Sequence, residues 1–551
     1  MLVVSNFSAY ERGIERGCLL QKETFIKQYA AGLNPQQQAA VEAVNGPVLL
    51  LAVPGSGKTT VLVTRLGYMV LCCDVPPAQI LTTTYTVAAT HEMRGRFAAR
   101  FGAELAGQMT FRTINGLSAV ILQYYSRVYG RRQPELLTNE GDITRMLTDI
   151  WQQVNREFPT ESTLKELRTA ITYIKNMALT DEEIEGLETD LASLPELYRR
   201  YQAALKRAGQ MDYDDQMVFA LQILRAAPPV LAYFQQRYKY FCVDESQDTS
   251  KIQHEIIRLL AGRSLNLFMV GDEDQSIYGF RAAYPQALMD FEQVYPGAQV
   301  LLMEENYRSS EEIVAAANAF VARSRYRRPK TLRATQGTQC PIEIRHITRR
   351  EEQIDWLFEE ARRGGGETAV LFRNNESALP LVDLCERRGV PYRFKKADLT
   401  FFTHKIVLDA VDFLRFAYEP ANGERFLRLY YKFGLALSRQ RALAACGASA
   451  RTGRSILEEL IRDPETKTRM RESLGDIYAA FKRIPQLNAA DALAAVRHGC
   501  GYGAYLNQKG MDTGKLAILE MLAEQEPNAL RLLDRLEELR MLIAAKADVN
   551  S

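Results

Sequence analysis

The 551-residue chain carries 69 basic and 67 acidic residues, a formal charge of only +2. That excludes a histone-like polycation and an acidic tail protein, although a basic groove can still sit on a neutral body. With 47% apolar and 25% charged residues the chain is not mainly disordered, and roughly 150 residues per domain predicts three or four domains.

The N-terminal stretch, MLVVSNFSAYERG, begins with an apolar run too short for a signal peptide. No apolar run approaches the roughly 20 residues that span a bilayer. A soluble, cytoplasmic protein with no membrane partner is therefore expected. The cysteines at 18, 72, 73, 242, 340, 385, 446 and 500 form no C-x-x-C pair. That argues against a zinc ribbon, an iron–sulfur cluster and a secreted disulfide scaffold.

From about Asn34 to about Arg393, short apolar runs alternate with amphipathic stretches. The runs are Val48–Val53, Ile80–Tyr85, Tyr238–Val243, Leu265–Val270, Gln299–Met303, Ile342–His346 and Thr368–Phe372. Alternation of this kind predicts an α/β fold with parallel sheets covered by helices. Residues from about Asn115 to Gln210 read as wholly helical, an insertion into the first α/β unit. Strand signals disappear again after about Thr403. The leucines at 530, 532, 533, 536, 539 and 542 predict a final amphipathic helix packed on its own domain.

The run Val48–Val53 leads into Pro54-Gly-Ser-Gly-Lys-Thr-Thr60 and a helical stretch. Strand, glycine turn and helix make a phosphate cradle. Gly55 and Gly57 let backbone N–H groups turn inward, and the helix N-terminus favours an anion. Lys58 would reach the β- and γ-phosphates of ATP, and the Thr59 hydroxyl would hold Mg²⁺. The cradle spans Ala52, Val53, Pro54, Gly55, Ser56, Gly57, Lys58, Thr59 and Thr60, with Ala52 where the general pattern has glycine. A chance glycine turn is the competing reading, and the flanking strand and helix disfavour it.

Phe241-Cys-Val-Asp-Glu-Ser-Gln-Asp248 ends a second buried run. Carboxylates at the C-terminal end of a parallel strand suit a nucleotide site. Asp244 can hold the Mg²⁺ that accompanies the triphosphate. Glu245 can orient or deprotonate an attacking water. Alone, Asp-Glu after a strand is as consistent with a solvated turn; beside Lys58 it gains meaning. The helical insertion explains the long separation between the two.

Together these residues resemble the UvrD/Rep/PcrA type of superfamily 1 DNA helicases, from Leu33 onward and in the family's order. LNPQQQAA (33–40) looks like the Q motif, and 52–60 like motif I. ILTTTYTVAATHEM (80–93) looks like motif Ia, and TINGL (113–117) like motif Ib. VDESQDT (243–249) resembles motif II, VGDEDQSIYGFRAA (270–283) motif III and ENYRS (305–309) motif IV. AVLFRNN (369–375) is similar to a strand of the family's second motor core.

The resemblance implies an ATP-dependent helicase or translocase with Mg²⁺, moving 3′ to 5′ on single-stranded DNA or DNA with a 3′ tail. Repair or replication proteins would be its partners. By position, Gln37 would read adenine and Tyr307 would stack on it. Gln275 would sense the γ-phosphate, and Arg308 would offset charge on the transferred phosphoryl group. Tyr85, Tyr278 and Phe280 would stack on unpaired bases, while Asn115 and Arg281 would add polar contacts. Core packing is the competing reading for Tyr278. Motif Ia here has Tyr85-Thr-Val-Ala88 where many relatives carry a lysine, so one phosphate contact is lost. The basic run RSRYRRPKTLR (323–333) suits a DNA backbone or a solvated face equally.

The resemblance further divides the chain. Residues 1–112 and 211–300 would form the first RecA-like core, and 113–210 its helical insertion. Residues 301–402 would open the second core, and 403–551 would be a helical insertion in it. Patterns for motifs V and VI are not found. The expectation is a truncated helicase with an incomplete second core, which binds ATP but hydrolyses it poorly and does not unwind duplex by itself. A helicase–nuclease subunit of the AddA/RecB type, missing its C-terminal part, is the other alternative.

Overall fold

The computed structural model describes residues 19–548 apart from 160, 190, 192, 263–264, 280–281, 365 and 395–398. Its chain divides into two compact units, 1–343 and 344–551.

The first unit is built on a six-stranded sheet. Its order is Thr110–Thr113, Ile80–Thr84, Tyr240–Val243, Leu267–Gly271, Pro47–Ala52, Gln299–Met303. Every neighbouring pair is parallel. The central strands are runs of apolar residues because both faces are covered. In Pro47–Ala52 the side chains alternate: Val48, Leu50 and Ala52 join one apolar cluster with Phe97 and Phe101. Leu49 and Leu51 join the opposite cluster with Phe234 and Ile256. This is the α/β fold expected from the alternating runs.

The sheet continues past the boundary drawn from sequence. Gln299–Met303 pairs with Pro47–Ala52, from Val48 opposite Gln299 to Ala52 opposite Met303. Residues expected to open the second core therefore edge the first sheet. Two other expected strands are not strands. Ile342–His346 and Thr368–Phe372 run outside any ladder, with Ile344 77% and Leu371 94% exposed. An apolar run becomes a strand only when a neighbour supplies hydrogen bonds, and no described segment does so here.

The helical insertion has its own core, in which Leu147, Trp151, Leu167 and Leu197 are buried. At its neck Glu135–Leu136 pairs in parallel with Gln210–Met211. The helix Glu161–Asn176 is tied to the helix Tyr213–Ala226 by a buried ammonium: Lys175 Nζ lies 2.6 Å from Asp212 and 2.7 Å from Asp215.

Among its described residues the second unit contains helices joined by irregular segments and no strand. Phe413, Phe416, Phe426 and Phe481 are at its centre. A buried polar group sits among them, with Lys432 Nζ 2.5 Å from Asp409 and the Tyr502 hydroxyl donating to the same carboxylate. The last helix, Ala529–Asp548, buries Leu532, Leu536, Leu539 and Ile543 in that core. Among the described residues no single helix is long and apolar enough to cross a membrane. No disulfide joins any of the seven described cysteines.

Candidate functional site

Four separate sequence segments meet at the C-terminal end of the strand Pro47–Ala52. The turn after it holds Gly55 and Gly57 at φ of +69° and +85°, the left-handed region that glycine enters without strain. Gly57 caps the helix Lys58–Leu71, so Lys58, Thr59 and Thr60 form its first turn. That turn offers free N–H groups and the positive end of the helix dipole. The Ser56 hydroxyl is buried in the same turn, with no hydrogen-bond partner among the described residues.

Lys58 already holds an anion. Its Nζ lies 2.8 Å from Glu245 Oε2, at the end of the strand Tyr240–Val243. Glu245 has φ of +49°, a strained conformation for a residue with a side chain. Burial pushes the Glu245 carboxyl up, but Lys58 and hydrogen bonds from Gln247 and Lys58 bring it below the usual range. Asp244, beside it, is buried and pushed up to about 6 by that burial and by the Glu245 charge, with Lys58 opposing. Two adjacent carboxylates are thus driven in opposite directions, a pattern that suits metal binding by one and base chemistry by the other.

Tyr307 and Arg308 come to the cradle through Asn306. The Asn306 side-chain amide donates to the Pro54 carbonyl at 2.7 Å, and its oxygen accepts from the Arg308 and Ser309 N–H groups. The Tyr307 N–H donates to the Gly55 carbonyl at 3.0 Å. The fit is tight: a Cβ added at Gly55 would lie 2.8 Å from the Arg308 Cβ. The Arg308 side chain is exposed and forms no ion pair with a described residue. Tyr307 is 40% exposed, and its hydroxyl accepts from Asn34 and donates to Glu305.

Gln37 is buried, and both ends of its amide are used. Its Nε2 donates to the Ser56 carbonyl at 2.8 Å, and its Oε1 accepts from the Asn34 N–H. Asn34 and Gln37 form a reciprocal cap on the helix Pro35–Glu42. As placed, Gln37 ties its helix to the cradle. Ala52 and Val53 are buried beneath the cradle.

Gln275 reaches the cradle lysine through three residues. Its Nε2 donates to Asp272 Oδ2 at 2.6 Å, and the Asp272 N–H donates to Gln247 Oε1. The Gln247 Nε2 donates to Glu245 Oε2 at 2.8 Å. The line Lys58–Glu245–Gln247–Asp272–Gln275 is therefore continuous.

Tyr85 and Asn115 line a cleft of about 740 Å³ on the same sheet edge, faced by Arg168 and Thr172 of the insertion and by Asp214. Tyr85 stacks on Tyr278, with centroids 5.8 Å apart and planes 18° apart. Phe280 and Arg281 lie outside the described residues. Of the basic residues in the run 323–333, Lys330 is buried and Arg323, Arg325 and Arg333 are exposed. Arg327, Arg328 and Lys330 pair with Asp274, Glu292 and the 272–274 carboxylates.

Sequence reasoning passed over Asn306, Gln247 and Lys330. The first two lie within quoted motifs, and their signal was an amide beside residues given a role. Lys330 left only the mark of an acid-free basic run.

Comparison with known proteins points one way. The family described as UvrD/REP helicase N-terminal domain matches residues 33–296, and UvrD-like helicase C-terminal domain matches 301–453. The ATP-dependent DNA helicase PcrA of Leuconostoc citreum is 32% identical over 76% of this chain and 58% of its own length. The putative ATP-dependent DNA helicase YjcD of Bacillus subtilis is 28% identical over 88% of this chain and 65% of its own. The ATP-dependent DNA helicase UvrD1 of Mycobacterium tuberculosis is 32% identical over 73% of this chain and 54% of its own. The chain thus spans somewhat more than half the length of the relatives it matches.

Proposed function

This chain belongs to the UvrD-like helicase family, and from that premise we propose that it is an ATP-dependent DNA helicase or translocase, acting in the cytoplasm on single-stranded DNA or DNA with a 3′ tail. Movement 3′ to 5′ and a role in repair or replication are part of the same reading. The observation that carries it is the convergence of Lys58, Glu245, Gln275 and the Asn306–Arg308 segment on one glycine cradle.

The residues fit a magnesium nucleotide. The cradle presents glycines in left-handed turns, a helix N-terminus and a lysine already paired with an anion. ATP bound with Mg²⁺ supplies the phosphoryl group whose hydrolysis drives movement. Thr59 and Asp244 would hold the cation. Lys58, drawn to phosphate oxygens, would release Glu245, which would orient a water and take its proton. Arg308 lies against Gly55, where its charge can offset that of the phosphates. Tyr307 and Gln37 flank the side where adenine would rest.

The test is binding of ATP with Mg²⁺ to the 551-residue chain. Lys58→Ala is expected to weaken it at least about tenfold, the loss of one charge-assisted contact worth ~1.4 kcal/mol or more. Equal affinity in the variant would remove the cradle from the account.

A second reading is ATP and DNA binding without productive unwinding. The exposed Ile344 and Leu371 favour it, because the runs expected to build a second sheet lie outside any ladder. A strand-displacement assay separates the two readings.

A further inference from the structure

Three cations of the acid-free basic run, Arg327, Arg328 and Lys330, are engaged within the protein, while Arg323 and Arg325 are exposed. Lys330 is fully buried, with its Nζ 2.9 Å from Asp272 Oδ1, 2.5 Å from Glu273 Oε1 and 3.0 Å from Asp274 Oδ2. Arg327 grips Asp274 through two nitrogens, and its Nη2 also donates to the Lys330 carbonyl. The Arg328 N–H donates to Glu273 Oε1, while its side chain takes the Leu288 and Met289 carbonyls and Glu292. Lys330 and Arg327 thereby hold the three successive carboxylates, and the Arg328 backbone N–H adds a hydrogen bond to Glu273.

Such a knot is costly to build. Two of its three acids, Asp272 and Glu273, are almost wholly buried, and uncompensated charge there would be strongly unfavourable. Burial presses the Lys330 ammonium toward neutrality, but Asp272 and Glu273 hold it above the usual lysine range. The cost has a geometric consequence. Asp272 divides its two oxygens: Oδ1 faces Lys330 and Oδ2 accepts from Gln275. Its N–H meanwhile anchors Gln247, which holds Glu245 beside Lys58.

We propose that Lys330 is a positioning residue for the motor. By fixing the rotamer of Asp272 it holds Gln275 and Gln247 in register with Glu245. It thereby sets the link between the nucleotide cradle and the segment from Gln275 to Tyr278 that stacks on Tyr85 in the DNA cleft. The inference rests on the ATP-driven reading given above. No group within this knot is assigned to nucleotide or DNA directly. A lysine is suited to the place because its compact ammonium reaches three carboxylates at once, whereas a planar guanidinium offers its donors in a fork.

The experiment compares wild type, Lys330→Met, Lys330→Arg and Arg327→Gln. It measures ATP hydrolysis with and without single-stranded DNA, and amide hydrogen exchange of the segment 271–279. Lys330→Met is expected to lower the DNA-stimulated kcat at least tenfold, with KM for ATP changed less than threefold. It should also speed exchange of 271–279 while leaving exchange of 54–60 unchanged. Lys330→Arg should recover part of kcat. Arg327→Gln removes the outer grip on Asp274 and the donor to the Lys330 carbonyl but leaves the buried ammonium in place, so it keeps the test open if Lys330→Met fails to fold. It is expected to lower stimulated kcat twofold to fivefold with the same exchange pattern. Stimulation and exchange like wild type in every folded variant would overturn the proposal. Absence of DNA-stimulated turnover in wild type would instead count against the functional reading, and the exchange measurement would then decide the positioning role alone.

Discussion

At the scale of single residues, the adjacent carboxylates Asp244 and Glu245 are the sharpest feature. Asp244 is raised to about 6 chiefly by burial, with the Glu245 charge adding to it. A folded pKa above the unfolded value near 3.8 means that the fold favours the protonated form. Stability is then fully present below about 4 and is lost as pH rises through about 6. Asp244→Asn removes that ionisation. In the absence of nucleotide and Mg²⁺ it is expected to stabilise the chain at pH 8 by about 1–3 kcal/mol, since a tenfold change in proton affinity between folded and unfolded chain is worth ~1.4 kcal/mol. The gain should shrink toward zero as pH falls to about 4. Thermal unfolding across this pH range measures it, and a variant no more stable than wild type at pH 8 would sink the assignment. The same variant should lose Mg²⁺-dependent nucleotide binding, the usual exchange of stability for function at a site.

At the scale of elements, the insertion is held to the core by Lys175, whose side chain is almost entirely buried between Asp212 and Asp215. The Tyr201 hydroxyl donates to the same Asp212, and Thr172 and Asn176 donate to Asp214. Removing one partner of a buried ion pair leaves the others uncompensated, at a cost of about 3–5 kcal/mol. Lys175→Met is therefore expected to make 135–211 susceptible to limited proteolysis, while nucleotide binding by the cradle persists. An insertion as resistant as wild type would show that its apolar contacts with the core suffice.

Elements also mark how far the sequence could be read. The cradle and the run ending at Asp248 were legible because strand, turn and chemistry are contiguous there. Lys58 and Glu245 could be paired because each stands in a local pattern strong enough to assign alone. Asn306 and Lys330 were not legible, since their partners, the Pro54 carbonyl and Asp272, lie on other elements. The run Gln299–Met303 was recognised as a strand but not as part of the first sheet, because periodicity carries no information about the neighbour. Ile342–His346 and Thr368–Phe372 have strand composition without a partner, so composition alone misplaced them.

At the scale of the whole molecule, a charge of +2 is distributed unevenly in use. Arg327, Lys330 and Lys175 are spent on buried or partly buried carboxylates, and Arg328 pairs with the exposed Glu292. The cleft that holds Tyr85 and Asn115 is walled by Asp214 and Asp248 as well as Arg168. Affinity for a strand there would come more from stacking, about 1–3 kcal/mol per base, than from phosphate neutralisation. On the proposed function, this cleft and the cradle act together through the line from Lys58 to Gln275. The most direct measurement is ATP hydrolysis by the 551-residue chain as single-stranded DNA is added, against Lys58→Ala and Tyr85→Ala. The expected result is turnover that DNA stimulates, that Lys58→Ala abolishes, and that in Tyr85→Ala needs at least about tenfold more DNA for half-stimulation. Turnover equal in wild type and Lys58→Ala, or indifferent to DNA, would contradict it.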